Sequence, residues 1–258
     1  MVVTVISSFF DGIIGVFIGI AVYIISLILA LSPLGEWILR FSTGCRVIER
    51  HIMNRLGPLF SESLAKAKLI NPSLPDDIQL FISDDKEPNA FATGRKTICL
   101  TKEIFQLSDE EIKAVFAHEL AHLANKDTDL ILMITVGNFL VTAFFIFYRI
   151  AIYIVGISAA IIVHRNIMDL LFTLFLDMIL VGVMWLWTKI GIVLVMYSSR
   201  KNEYLADEFA SNCGYGENMI AALKKLNSSG AKGLWANLAS SHPATNDRIA
   251  RLQELNSI

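Results

Sequence analysis

The segment His118-Glu119-Leu120-Ala121-His122 sets two histidines four residues apart with a glutamate beside the first. On a helix, residues at that spacing share one face, so both imidazoles can reach one metal ion. Zinc suits nitrogen ligands, and a catalytic zinc takes three protein ligands and keeps one position open for water. Glu119 then stands close to that water and can take its proton while the metal lowers the water pKa. The bland alternative is a chance pair of helix histidines beside a surface glutamate. Only five histidines occur in 258 residues, and two of them flanking a glutamate at this spacing favour catalytic zinc, one ion per chain.

The third ligand has to come from elsewhere in the chain. Within the run from Ser198 to Ala210, Glu203 and Asp207 are four apart and share a helix face. Glu203 as ligand, with Asp207 as partner to a ligand histidine, is a coherent arrangement. Glu208 competes for the ligand role but lies off that face. A solvated acidic helix face is the alternative for the whole run.

The elements that must position these groups are partly legible. Ser108 followed by Glu111 is a capping box, with Leu107 and Ile112 at the staple positions. The pattern predicts a helix from Asp109 to at least Leu123, with Ile112, Val115, Phe116, Leu120 and Leu123 at helical spacing. Upstream, residues 40–67 read as helical with Gly57-Pro58 as a break, and residues 71–76 read as a loop. Ile78-Gln79-Leu80-Phe81-Ile82 is strand-like. Asn89-Ala90-Phe91-Ala92-Thr93 and Lys96-Thr97-Ile98-Cys99-Leu100 flank Gly94-Arg95, which is a hairpin signal. Together these make a small sheet.

Composition points to a bilayer. Apolar residues make up 54% and charged residues 18%, against about 25% charged in ordinary soluble domains, and the mean hydropathy is +0.56. A net charge of −2 provides no basic field for nucleic acid, and no phosphate-binding glycine loop marks a nucleotide site. Cys45, Cys99 and Cys213 are an odd set without metal-ligand spacing, which argues against a disulfide framework. Residues 12–35 carry no charge, and about 20 such residues cross the hydrocarbon core. Residues 130–199 read as a transmembrane helical hairpin turning at His164-Arg165-Asn166. Each arm would be about 45–50 Å long, more than the ~30 Å core needs. Arg149 and Asp177 then stand equally far from the tip, where they can pair at one depth. Arg40, Arg46, Arg50 and Arg55 follow the first span, and Arg200 and Lys201 follow the hairpin. That bias faces residues 38–128 and 200–258 to the cytoplasm. The expected organisation is an anchor (1–37), a first catalytic part (38–128), the hairpin (129–199) and a second catalytic part (200–258). The fold class is a membrane protein, mainly α with a small β-sheet.

From about residue 76 to the end, the chain resembles the HtpX family of integral-membrane zinc endopeptidases, relatives of the CAAX prenyl proteases. The motifs that carry the resemblance are Asn89-Ala90-Phe91-Ala92-Thr93-Gly94 and Ala117-His118-Glu119-Leu120-Ala121-His122 with Asn125 and Asp127. Ser199-Arg200 with Glu203-Tyr204 and Ala206-Asp207 follow, then His242-Pro243 with Arg248-Ile249 and Leu252. The resemblance implies a zincin-like (gluzincin) catalytic domain interrupted by the hairpin, with Glu203 as the third zinc ligand and Asp207 orienting a ligand histidine. It implies that Asn89, Ala90, Phe91 and Ala92 hold substrate backbone by strand addition. His242 and Arg248 would face the reacting carbonyl and stabilise its oxyanion. The implied activity is cleavage of protein or peptide substrates in a bilayer, as quality control of damaged membrane proteins, at the cytoplasmic face of a bacterial inner membrane. One departure stands out: the family carries two spans ahead of the zinc helix, and one is legible here. The competing classes are a zinc-binding adaptor or sensor and a site-2-type intramembrane protease. Against the latter, Asp109, Glu110, Glu111, Lys113, Asn125, Lys126 and Asp127 surround the motif.

Overall fold

A computed structural model describes residues 13–86, 89–159, 167–228 and 245–256. The chain forms α1 (Ile13–Ala30), α2 (Pro33–Ser42), β1 (Arg46–Val47), α3 (Arg50–Ile70), β2 (Gln79–Ser83), β3 (Ala90–Thr93) and β4 (Thr97–Thr101). A 3-10 turn (Lys102–Gln106) leads into α4 (Asp109–Ala124), α5 (Asp127–Ala159) and α6 (Ile167–Ala210). A π-type turn (Ser211–Tyr215) precedes α7 (Gly216–Ser228), and α8 is Thr245–Asn256. Two compact units result. One gathers residues up to Ser32 with Met133–Leu194, the other Pro33–Leu132 with Val195–Ile258.

The second unit holds all the chemistry. Its sheet has the order β1-β2-β4-β3. β2 runs parallel to β4, while β1 and β3 are antiparallel to their neighbours. β3 is therefore an edge strand. Thr101 N–H donates to Asn89 O at 2.9 Å, which makes Asn89–Thr101 a hydrogen-bonded pair. By the alternation of an antiparallel ladder, Phe91 and Thr93 also bond to β4, while Ala90 and Ala92 turn their backbone groups outward.

α4 is the buried centre of this unit. Ser108 Oγ accepts from Glu111 N at 3.3 Å and Ser108 N–H donates to Glu111 Oε2 at 2.7 Å, which is the capping box that the spacing predicts. Lys225 Nζ adds a 2.7 Å bond to Glu111 from α7. Nearly every residue from Glu111 to Leu123 is buried. On α3, Phe60 meets Phe116 edge-on at 5.3 Å. The break expected at Gly57-Pro58 does not occur, and α3 runs through Pro58. Leu56, Phe60, Ser63 and Ala67 are buried along one stripe, and that burial offsets the hydrogen bond lost at the proline.

The first unit consists of apolar helix. Phe147, Ile154, Met168, Met178 and Trp185 are more than 60% exposed. Among the described residues, no single helix meets the length and apolarity that a membrane crossing requires. One bent pair, Tyr23–Ala30 with Pro33–Ser42, does so by length and composition. The single span expected over residues 12–35 is thus interrupted at Leu31-Ser32. Pro33 disfavours helical backbone at the residue before it, and Ser32 Oγ donates to Leu29 O at 2.6 Å instead. The expected tip, His164-Arg165-Asn166, lies outside the described residues.

Within this unit Arg149 and Asp177 form a two-pronged pair at 2.6 Å for both bonds, and Tyr153 Oη donates to Asp177 at 2.7 Å. A charge in apolar surroundings is costly without its partner. Either single reversal, Arg149→Asp or Asp177→Arg, is expected to lower the melting temperature in detergent by on the order of 5 °C. The double exchange should recover most of the loss, and thermal unfolding of the three variants measures the coupling. A double variant no more stable than the sum of the singles would dissolve the pair.

Candidate metal centre

His118 and His122 lie one turn apart on the inner face of α4, with ring centroids 5.0 Å apart and planes at 82°. Their Nε2 atoms stand 3.3 Å from each other. Glu203, brought in by α6, sets Oε2 3.4 Å from His118 Nε2 and Oε1 3.4 Å from His122 Nε2. One ligand atom from each of the three residues lies within 4.8 Å of the others. Glu208, the rival in sequence, instead points to Arg251 at 3.7 Å and takes no part in the cluster.

The far side of each imidazole explains why these atoms fit a cation. His118 Nδ1 is 3.0 Å from Asp207 Oδ1, and His122 Nδ1 is 3.0 Å from Asp127 Oδ2. The Asp127 contact is a hydrogen bond and the Asp207 contact an ion-pair approach; with a proton on each Nδ1, both Nε2 atoms are lone pairs available to a cation. Two lone pairs at 3.3 Å, facing a carboxylate in a buried pocket, repel one another unless a positive charge sits among them. The same demand for positive charge raises the titration of both imidazoles, protons taking the place of a cation where no metal is bound. Burial pushes His118 down, but Asp207 and Glu203 outweigh it and the group is raised. For His122, burial is likewise overcome by Asp127 and Glu203, to about 10. The donor set fits a divalent metal ion.

Arg248, from α8, is 7% exposed and its guanidinium is engaged with two carboxylates. Nε and Nη2 donate to the two Asp207 oxygens at 2.7 Å each, and Nη1 reaches Glu203 Oε2 at 3.0 Å. The expectation that Arg248 donates to a reacting carbonyl meets a different geometry here: its fork grips the two carboxylates that serve the histidines. Burial raises the Asp207 carboxyl, yet Arg248 and His118 more than compensate, so it stays below the ordinary carboxylate range. His242 lies outside the described residues.

Glu119 is 6% exposed. Its Oε2 accepts from Ala92 N–H at 2.6 Å, so one outward amide of β3 points at this carboxylate. Burial is the main force raising the Glu119 carboxyl above its usual range. The remaining expected substrate contacts stand along the same edge. Asn89 Oδ1 accepts from Ala90 N–H at 2.9 Å, and Phe91 faces Cys99 across the ladder.

Two contacts escaped the sequence reading. Asp127 as the partner of His122 has a signal only in hindsight, a carboxylate five residues past the second histidine. It reaches back because Lys126 adopts left-handed backbone (φ 58°) and turns the chain sharply between α4 and α5. The Ala92–Glu119 bond involves a backbone amide and has no side-chain signature.

The description of peptidase family M48 matches residues 59–256. A protease HtpX of Shewanella halifaxensis (strain HAW-EB4) is 30% identical over 241 residues, covering 85% of this chain and 81% of the relative. A protease HtpX of Psychrobacter sp. (strain PRwf-1) is 28% identical over 249 residues, covering 86% and 78%. Among solved structures, that of S. mikatae Ste24p is similar at a TM-score of 0.49 and 19% identity, over 89% of this chain and 56% of that one. The family match over residues 59–256 takes in the helix with both histidines and the helix with Glu203, and the Shewanella relative covers most of the chain; the chain is a metallopeptidase and belongs to peptidase family M48.

Proposed function

We propose that the chain is a zinc-dependent endopeptidase that cleaves extended polypeptide laid along β3. The observation that carries this reading is the meeting of His118, His122 and Glu203 with both outer imidazole nitrogens held by carboxylates. Zinc is favoured by the donor types, two imidazole nitrogens and a carboxylate; the nitrogens stand 3.3 Å apart, with Glu203 Oε2 3.4 Å from His118 and Oε1 3.4 Å from His122.

A bound zinc ion would supply Lewis acidity to the attacking water and to the scissile carbonyl. The protein's own residues do the rest. Glu119 takes the water proton at a carboxylate oxygen and passes it to the leaving amine. Asp207 and Asp127 hold the imidazoles, and Arg248 holds Asp207 and Glu203. The outward carbonyls of Ala90 and Ala92 accept from substrate backbone N–H groups, their own amides being taken by Asn89 and Glu119, and such pairing requires an unfolded segment. Since Arg248 is engaged, the donor to the oxyanion falls, on the sequence pattern, to His242.

We place the protein in a membrane, with residues 129–199 as a transmembrane hairpin and the anchor ahead of residue 38. The exposed apolar surface of the first unit supports this, since soluble proteins rarely leave so much of it uncovered. The arginines after the anchor and the Arg200-Lys201 pair favour a cytoplasmic catalytic face with its two parts at 38–128 and 200–258. A site selective for unfolded strands beside a bilayer, in a chain with no nucleotide motif, suits ATP-independent removal of damaged membrane proteins.

Metal removal tests the reading. Treating the detergent-purified protein with a strong chelator should reduce casein cleavage to background, and stoichiometric zinc should restore it. Cleavage that survives complete removal of metal would refute the reading.

A further inference from the structure

We infer that Glu36, on α2, is a positioning residue for the substrate edge, holding the β3–β4 turn from the side where the chain arrives from α1. The inference rests on the strand-addition reading of β3 and extends it to a residue outside every motif. Glu36 Oε1 accepts from Arg95 N–H at 2.6 Å. The side chain lies so close over the turn that a Cβ at Gly94 would meet its Cγ at 2.6 Å and its Cδ at 2.8 Å. Gly94 is also in left-handed backbone, φ +69°, so the turn requires glycine both for its conformation and for the approach of Glu36.

The turn is gripped from a second direction. Arg95 places Nε and Nη2 on the two Asp129 oxygens at 2.8 Å each. Asp129 is in the first turn of α5, two residues beyond Asp127, which holds His122. The hairpin tip is thus fastened to α2 through its backbone and to the start of α5 through its side chain. Two residues before the tip, Ala92 N–H meets Glu119. An edge strand has a ladder on one side only and is free to twist or slip. Fixing its turn fixes where the outward groups of Ala90 and Ala92 stand relative to the catalytic carboxylate.

Both α2 and α5 adjoin apolar helix: α1 precedes α2, and α5 itself continues as a run of apolar residues. The grip therefore ties the substrate edge to the two elements by which the chain passes into its apolar unit, and through α5 to the turn that carries Asp127, the partner of His122.

The test compares a long fluorogenic peptide with a short reporter that reaches the metal but not β3, using metal-loaded protein. Glu36→Ala should lower the long-to-short ratio of kcat/KM about tenfold, the value of one hydrogen bond to a charged group, chiefly through KM. Glu36→Gln keeps an acceptor oxygen and should restore most of the ratio. Lys96→Ala, beside the turn but paired outward with Asp77, controls for general loosening and should leave the ratio as in wild type. A Glu36→Ala ratio equal to wild type, or equal loss in Ala and Gln variants, would overturn the inference. Backbone N-methylation of the long peptide at alternate residues separates the two levels: if wild type cleaves methylated and plain peptides equally, strand addition itself fails. If Glu36→Ala does not fold, Arg95→Ala cuts the other half of the grip and is read by the same ratio.

Discussion

Glu119→Gln is expected to abolish cleavage while leaving the metal in place. Removing a general base costs up to about 10⁴-fold in rate, so kcat should fall by roughly three to four orders of magnitude. The substitution is conservative in shape. Glutamine can still accept the Ala92 amide that Glu119 now takes at 2.6 Å, and Glu119 lies outside the ligand set of His118, His122 and Glu203. Only the capacity to take a proton is lost. Single-turnover kinetics on a casein-derived peptide, with metal content measured on the same sample, separate the two effects. A variant retaining more than a tenth of wild-type kcat would assign the base elsewhere.

The second large effect is expected at Arg248. Because its fork holds Asp207 and Glu203 at 2.7 and 3.0 Å, Arg248→Met strands two buried carboxylates. Breaking a buried ion network by removing one partner costs about 3–5 kcal/mol. The loss should be larger in chelator-treated than in metal-loaded protein, since a bound cation compensates Glu203. Loosening the partner of a ligand histidine should also weaken metal binding by about 10–100-fold. Arg248→Lys should rescue little, because an ammonium cannot reproduce the two-pronged contact. Thermal unfolding with and without metal, together with a competitive zinc titration, reads all three. If Arg248→Met lost only kcat, with stability and metal affinity intact, Arg248 would be a donor to the reacting carbonyl, as the family resemblance implies.

What was legible in the sequence was what is local. The capping box at Ser108–Glu111 and the i, i+4 histidines are written in consecutive residues of one helix, and the glycine turn between β3 and β4 is equally short-range. Arg149 and Asp177 could be matched across 28 residues because the expected hairpin is symmetric about its tip. The helix through Pro58 could not be read, because the packing of Leu56 and Phe60 against the core overrides the local signal. The two-residue β1 has no periodicity to detect. The role of Arg248 depends on three elements distant in sequence meeting at one point: α4 supplies His118, α6 supplies Glu203 and Asp207, and α8 supplies the guanidinium. Motif matching identifies such a residue as belonging to the site but not which atoms it touches. The Ala92 amide on Glu119 was illegible for a simpler reason: a backbone donor leaves no trace in residue type.

The central claim is that His118, His122 and Glu203 hold a catalytic zinc ion that Glu119 serves as base. Metal content and casein cleavage, measured on freshly purified wild type, Glu119→Gln and Glu203→Ala, test it most directly. The account predicts one zinc per chain in wild type and Glu119→Gln, cleavage in wild type alone, and depleted metal in Glu203→Ala. Wild-type protein that carries no metal and takes up none when zinc is supplied would contradict it, as would full zinc occupancy in Glu203→Ala.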